Sequence, residues 1–212
     1  MRQELVQTAK IDYWFSSQDP LSAGEKGLDE YLLVIQPEGD VYDKVMTIEE
    51  RFYREYEKEK PADIRPQIVL ASFVSSQELE ETLIRWLYRI SSQQDSFLVT
   101  LNNYSGFLTH TIYLRILDHR PFQNLLTQLK AIEPYVLANG GHNLKFMWPH
   151  ISIARQLEPE VFHKAMRAYS EKTFSESFIA GKLVLLRRDQ ATGNDQAVCV
   201  FKLRPGQNDL SN

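Results

Sequence analysis

Residues 150–155 read HISIAR, and the chain continues QLEPEVFHKAMRAYS to residue 170. In an extended strand successive side chains point to opposite faces, so His150 and Ser152 share one face while Ile151 and Ile153 share the other. The spacing then lengthens: Phe162, Met166 and Tyr169 recur at three- and four-residue intervals, the inner stripe of an amphipathic helix. The same grammar occurs from residue 67, QIVLASFVSSQELEETLIRWL. Aligning Gln67 with His150 places Leu79 on Phe162, Leu83 on Met166 and Trp86 on Tyr169. Each copy is a strand, a short turn, a helix and further strand, with one apolar face and nothing of its own to pack that face against. Two such copies bury their faces by pairing about a pseudo-twofold axis, which leaves a cleft lined by equivalent positions of both.

Outward from these copies the chain alternates strand and helix. Residues 31–35 (YLLVI) are a short apolar run ended by a Pro and Gly loop, as in a buried strand, and residues 41–58 carry Val45, Ile48, Phe52 and Tyr56 at helical spacing. Residues 96–101 and 111–117 read as strands joined by a loop that holds NNYSGF. Ser75 or Ser76 offers an N-cap to the helix that bears Leu83, Leu87 and Ile90. A helix over 121–136 has Phe122, Leu125, Leu129 and Ile132 on its inner side and a proline in its first turn, and NGGHN ends it. Two long strand-like segments, 177–187 and 196–203, are parted by the polar turn RDQATGND. About seven strands and four main helices, alternating but with hairpin-like joints, predict an α+β fold with antiparallel and mixed sheets and the helices outside. Residues 1–28, with the turn-rich SSQDPLSAGEKG, read as a loosely attached arm. Residues 29–204 form a single bilobal domain with repeat copies starting near 67 and 150, and residues 205–212 form a tail.

The chain has 212 residues, 43% hydrophobic and 25% charged, the composition of a soluble globular protein with a real core. Lys plus Arg is 24 against 28 for Asp plus Glu, a net charge of −4 with no basic block. An extended nucleic-acid surface, which needs many cations to displace counterions, is therefore not expected, whereas a single phosphate in a confined site is compatible with this balance. The one cysteine, Cys199 in the apolar run AVCVF, rules out an intramolecular disulfide and a cysteine-rich zinc site, and reads as buried. Neither an apolar signal-peptide core nor a membrane-length apolar window is present, so the expected place is the cytoplasm, away from membranes.

A histidine beside a hydroxyl suits phosphate chemistry. The hydroxyl holds a non-bridging oxygen, and imidazole, with an ordinary pKa near 6.5, moves a proton at neutral pH. With the Trp-Pro step before it, the Gly-rich break and FLTHTIYLRILDHRPFQNLLTQLKAI upstream, PHISIAR resembles the 2H phosphoesterase superfamily, nearest in appearance to 2′-5′ RNA ligase-like proteins and cyclic phosphodiesterases. The resemblance covers roughly residues 31–203. It implies a bilobal α+β fold with two H-x-[ST]-x motifs facing across a cleft. One histidine would act as base and the other as acid on a 2′,3′-cyclic or 2′-5′ phosphodiester, with two hydroxyls on the phosphate and neither metal nor cofactor.

Carried over by position, His150 is the catalytic residue and Ser152 the phosphate ligand of the second motif. The first motif is degenerate: Gln67 stands where a titrating histidine is expected and Val69 where a hydroxyl is expected. Glutamine exchanges hydrogen bonds but transfers no proton in this pH range. Gln67 is therefore read as a substrate-binding residue only. His110 and His142 are candidate replacements, the second as a lid residue in the GGHN break, each weighed against an ordinary solvated role. His119 and His163 read as surface residues. Trp148 reads as packing or as a base-stacking ring, Tyr104 and Phe107 as substrate-facing by resemblance, and Arg155 as lying on the face of Ile153. Two functions follow: a monomeric 2′-5′ RNA ligase-like or cyclic phosphodiesterase-like protein of reduced activity on a nucleotide or RNA-end phosphate, or a catalytically inactive binding module on the same fold.

Overall fold

The computed structural model describes residues 28–206 apart from 58, 62–63, 108–109 and 189–193. The expected arm apart from Leu28, residues 189–193 of the RDQATGND turn and most of the tail lie outside the described residues. In chain order the elements are β1 (Leu28–Ile35), α1 (Gly39–Tyr56), β2 (Ile68–Ser76), α2 (Glu80–Ser91), β3 (Phe97–Phe107) and β4 (Thr111–Ile116). They continue with α3 (Arg120–Leu129), α4 (Glu133–Ala138), β5 (His142–Phe146), β6 (Ile151–Ala154), α5 (Pro159–Ser170), β7 (Ser175–Ala180), β8 (Lys182–Arg188) and β9 (Asp195–Lys202).

The strands form one sheet in the order β7-β3-β4-β6-β2-β1-β8-β9, with β5 also on β2, and the named pairs are antiparallel. The expected pseudo-symmetry is visible in this order. The two strands that open the repeat copies, β2 and β6, meet in the middle through the pair Ile68–Ile151, and three more strands extend from each. The two lobes are thus halves of one sheet. Helix α1 follows a strand of the first half yet packs on β6 and β7 of the second, where α5 covers β3 and β4, while α2 lies against β9 and α3. One apolar core runs beneath both halves, from Tyr31, Leu70 and Leu83 to Leu114, Ile151 and Tyr169. Through this crossing an element of the first half packs on strands of the second.

Where the elements differ from the sequence expectation, local geometry explains the difference. The segment 177–187 is two strands, β7 and β8, broken at Gly181 so that each half of the sheet receives one. The NNYSGF segment belongs to β3, and Gly106 there allows the Phe162 ring to press on the strand, since a Cβ would stand 2.5 Å from its Cζ. Between α3 and α4 the helix narrows to a 3₁₀ turn at Lys130–Ile132, ahead of Pro134. NGGHN ends α4 through a left-handed Gly140 (φ 80°) and a 2.9 Å bond from Gly141 N–H to the Val136 carbonyl. It then continues as β5, so His142 lies on a strand and is not a lid residue. Neither Ser75 nor Ser76 caps α2: β2 runs on through Ser76, and a 3₁₀ turn without a side-chain cap precedes the helix. The buried helix positions align as Leu83 with Phe162 and Ile90 with Tyr169, one turn away from the sequence alignment, because β2 is longer than β6. Cys199, on β9, is half-exposed and not buried. No described helix is long and apolar enough to cross a membrane.

Candidate functional site

Gln67 and His150 each stand immediately before a central strand. Ile68 and Ile151 face one another and are fully buried on the helix side. Alternation therefore puts Gln67, Val69, His150 and Ser152 together on the other side. Antiparallel register sets Gln67 opposite Ser152 and Val69 opposite His150. On the next strand Tyr113 pairs with Ser152.

His150 is held at both nitrogens. The Trp148 carbonyl lies 2.7 Å from Nδ1, and since a carbonyl only accepts, Nδ1 carries the proton; Nε2 then accepts from the Ser152 hydroxyl at 3.1 Å. Two rings flank the imidazole edge to face, Phe107 at 5.2 Å and Tyr113 at 5.1 Å between centroids, and these rings stack on each other at 3.9 Å. Burial pushes the imidazole pKa down to about 4, against the pull of the Trp148 carbonyl and with a smaller push from Arg155. His150 is thus neutral at pH 7, with Nε2 as a base on the open side of the sheet.

The first-motif half is different in kind. The Gln36 amide donates to Gln67 Oε1 at 3.4 Å, an arrangement that presents the Gln67 NH₂ as the donor end. Val69 packs against Leu32, Val34, Val184 and Leu186, four side chains that are buried on the sheet face away from the main core. Residue 69 is thus part of an apolar cluster.

The remaining sequence candidates separate clearly. His110 Nδ1 meets the Thr111 hydroxyl at 2.8 Å in the turn before β4. His119 is not a free surface residue: it lies half-buried under Trp148, centroids 4.3 Å apart, and burial lowers its pKa. His163 is exposed. Trp148 keeps 41% of its surface exposed beside His150. Phe107 is at the site, whereas Tyr104 packs into the core against Tyr169. Arg155 acts electrostatically on both His150 and the buried Glu49 of α1. Sequence reasoning missed Tyr113, whose place in the alternation TIYLRI was the available signal, and Gln36, which carried none. Among the described residues, no three His, Cys, Asp or Glu side chains converge as a metal site would require.

No curated protein sequence matches the chain. Among solved structures, LigT of E. coli complexed with 3′-AMP superposes with a TM-score of 0.57 at 14% identity, over 84% of this chain and 98% of that one. TT0787 of Thermus thermophilus gives 0.59 at 16% identity, over 84% and 100%. LigT complexed with ATP gives 0.56 at 15% identity, over 84% and 99%. At such identities the likeness establishes the fold. The sequence carries the family itself: residues 42–192, which include both repeat copies and the strands that bring them together, match the model of the 2′-5′ RNA ligase superfamily, and the chain belongs to that superfamily.

Proposed function

We propose that this protein binds the phosphate of a nucleotide or RNA end at His150, Ser152 and Gln67, in the cytoplasm, and hydrolyses cyclic phosphodiesters slowly with His150 as its one proton-transferring group. The observation that carries this reading is the imidazole itself, neutral, fixed by the Trp148 carbonyl and touching a hydroxyl on the same face as Gln67. In the step proposed, Nε2 takes a proton from water as the water oxygen bonds to phosphorus, the bond from phosphorus to the 2′ or 3′ oxygen breaks, and that oxygen takes its proton from solvent. Ser152 turns its hydroxyl to a non-bridging oxygen and the Gln67 NH₂ donates to another. In this scheme no second side chain among the described residues protonates the leaving oxygen, and a positioned acid is commonly worth about 10²–10⁴-fold. Structural neighbours support the ligand class, since LigT has been solved with 3′-AMP, ATP, NADP+ and phosphate.

The packing of Val69 favours a second reading, a binding module without turnover. The two separate when nucleoside 2′,3′-cyclic phosphates are incubated with the wild type and with His150→Ala, and nucleotide binding is followed in parallel. Slow turnover that disappears in the variant supports the first. Equal rates with binding retained support the second, and absence of binding removes both.

A further inference from the structure

Residues 31–35 (YLLVI) and 183–186 (LVLL) are unbroken apolar runs, the pattern of strands buried on both faces, whereas a sheet with one wet face alternates. Both runs are buried at every residue, none above 8% exposed. Tyr31, Leu33, Ile35, Leu183 and Leu185 enter the main core under the helices. Leu32, Val34, Val184 and Leu186 point the other way and form a cluster of their own, knit by register: Val34 pairs with Val69 and with Val184, and Leu32 pairs with Leu186. Among the described residues the one further apolar side chain packed on this cluster is Val69. The second half of the same sheet shows what an uncovered face looks like. There the cross-strand pair Leu98 and Ile179, turned away from the core, keeps 47% and 38% of its surface exposed. Lateral neighbours in the sheet therefore do not account for side chains at 0–8%, and a cover over the face does. The cover stops at the edge strand, where Val200, opposite Val184, is 51% exposed.

We propose that residues 11–15 (IDYWF) of this chain dock on the face of Leu32, Val34, Val184 and Leu186 and supply its cover. The segment itself lies outside the described residues; its composition and its reach are what assign it. It holds the one run of three consecutive aromatic residues in the sequence, and each such ring has roughly 150–250 Å² to bury. Twelve residues, 16–27 (SSQDPLSAGEKG), join it to Leu28, the first residue of the strand that carries Leu32 and Val34. Fully extended, twelve residues span up to about 40 Å, and Val34 lies about 20 Å along β1 from Leu28, so the segment can turn back over the cluster. Serine, glycine and proline in that stretch suit the reversal. The docked segment then borders Val69, two residues from Gln67 on the same face, and forms a wall of the cleft on the first-motif side. An apolar residue at 69 serves this contact. The inference stands independently of what binds at His150.

Amide hydrogen exchange on the full chain, followed alongside sedimentation velocity, tests this in the wild type, Trp14→Ser and Val69→Ser. Residues 11–15 are expected to exchange about tenfold or more slowly than residues 16–27 in a monomer, because docking protects them and leaves the connecting stretch open. Trp14→Ser should abolish that slowing and let the apolar-surface dye 8-anilinonaphthalene-1-sulfonate bind, while the amides of β3 and β4 stay protected. Val69→Ser, at the half-buried rim of the cluster, should reduce the slowing several-fold. Residues 11–15 that exchange as fast as 16–27 in the wild type overturn the proposal whatever the variants do. So does slowing that disappears on dilution together with a dimer, which assigns the face to a second copy of the chain. Slowing that neither substitution changes places the segment elsewhere and overturns it too.

Discussion

The Nε2 atom of His150 lies 3.1 Å from the hydroxyl of Ser152, two residues along the same strand face. The contact fixes which nitrogen is the base, because the Trp148 carbonyl holds the proton on the other. A phosphate entering here meets a neutral imidazole and a rotatable hydroxyl from one motif, and only an amide from the other.

Restoring the missing pair should raise turnover. Gln67→His with Val69→Thr supplies a second titrating group and a second hydroxyl, and the rate on 2′,3′-cyclic phosphates is expected to rise by about 10²–10⁴-fold. The threonine enters an apolar cluster, so a stability loss of about 1–2 kcal/mol accompanies the gain. Steady-state hydrolysis and a denaturant midpoint measure the two effects.

The aromatic walls set the basicity of His150. Tyr113→Ala opens one side of the imidazole to water, and the pKa, now about 4, should climb toward the ordinary 6.5. A histidine titration by NMR reads this directly. An unchanged value would mean that the backbone and Phe107 alone bury the ring.

Two buried groups should tilt stability with pH in opposite directions. The folded pKa of His150 lies below its unfolded value, so acidification from about 6.5 to 4 protonates the unfolded chain first and removes up to about 3 kcal/mol. Glu49 is fully buried 2.6 Å from Lys60, and burial outweighs that partner to raise its pKa to about 7. The native state therefore takes up a proton between about pH 7 and 4.5 and gains a similar amount on acidification. Relative to wild type, Glu49→Gln is expected to lose stability as pH falls through that range, and His150→Gln to gain. Urea midpoints across pH 4–7 test both signs.

The junction of the half-sheets should be the weak point of the site. Ile151 is fully buried and makes the pairing with Ile68 that joins β6 to β2. Ile151→Ala is expected to cost about 2–5 kcal/mol and to weaken nucleotide binding at temperatures where the chain remains folded, because the same pair sets Gln67 beside Ser152.

Most of this layout was legible in the sequence, and the reason is periodicity. HISIAR alternates polar and apolar side chains, QIVLASF aligns with it position for position, and the helix after each carries its apolar residues at helical spacing, so the face shared by His150, Ser152, Gln67 and Val69 could be read without coordinates. What was hidden depended on contacts between distant segments. Nothing local shows that the strand after Gly181 crosses to the first half of the sheet beside β1, that Tyr113 and Phe107 wall His150, or that Val69 joins Leu32 and Leu186. The GGHN break suggests a lid at His142, but it is a helix stop followed directly by an inserted strand, which only the pairing of β5 with β2 reveals.

The most direct measurement is the titration of the His150 imidazole by NMR with and without 3′-AMP. The expected result is a pKa near 4 in the free protein, raised when the nucleotide phosphate binds beside the ring, and His150 resonances that move as ligand is added while those of the exposed His163 do not. A His150 that titrates near 6.5 and ignores the nucleotide would contradict it.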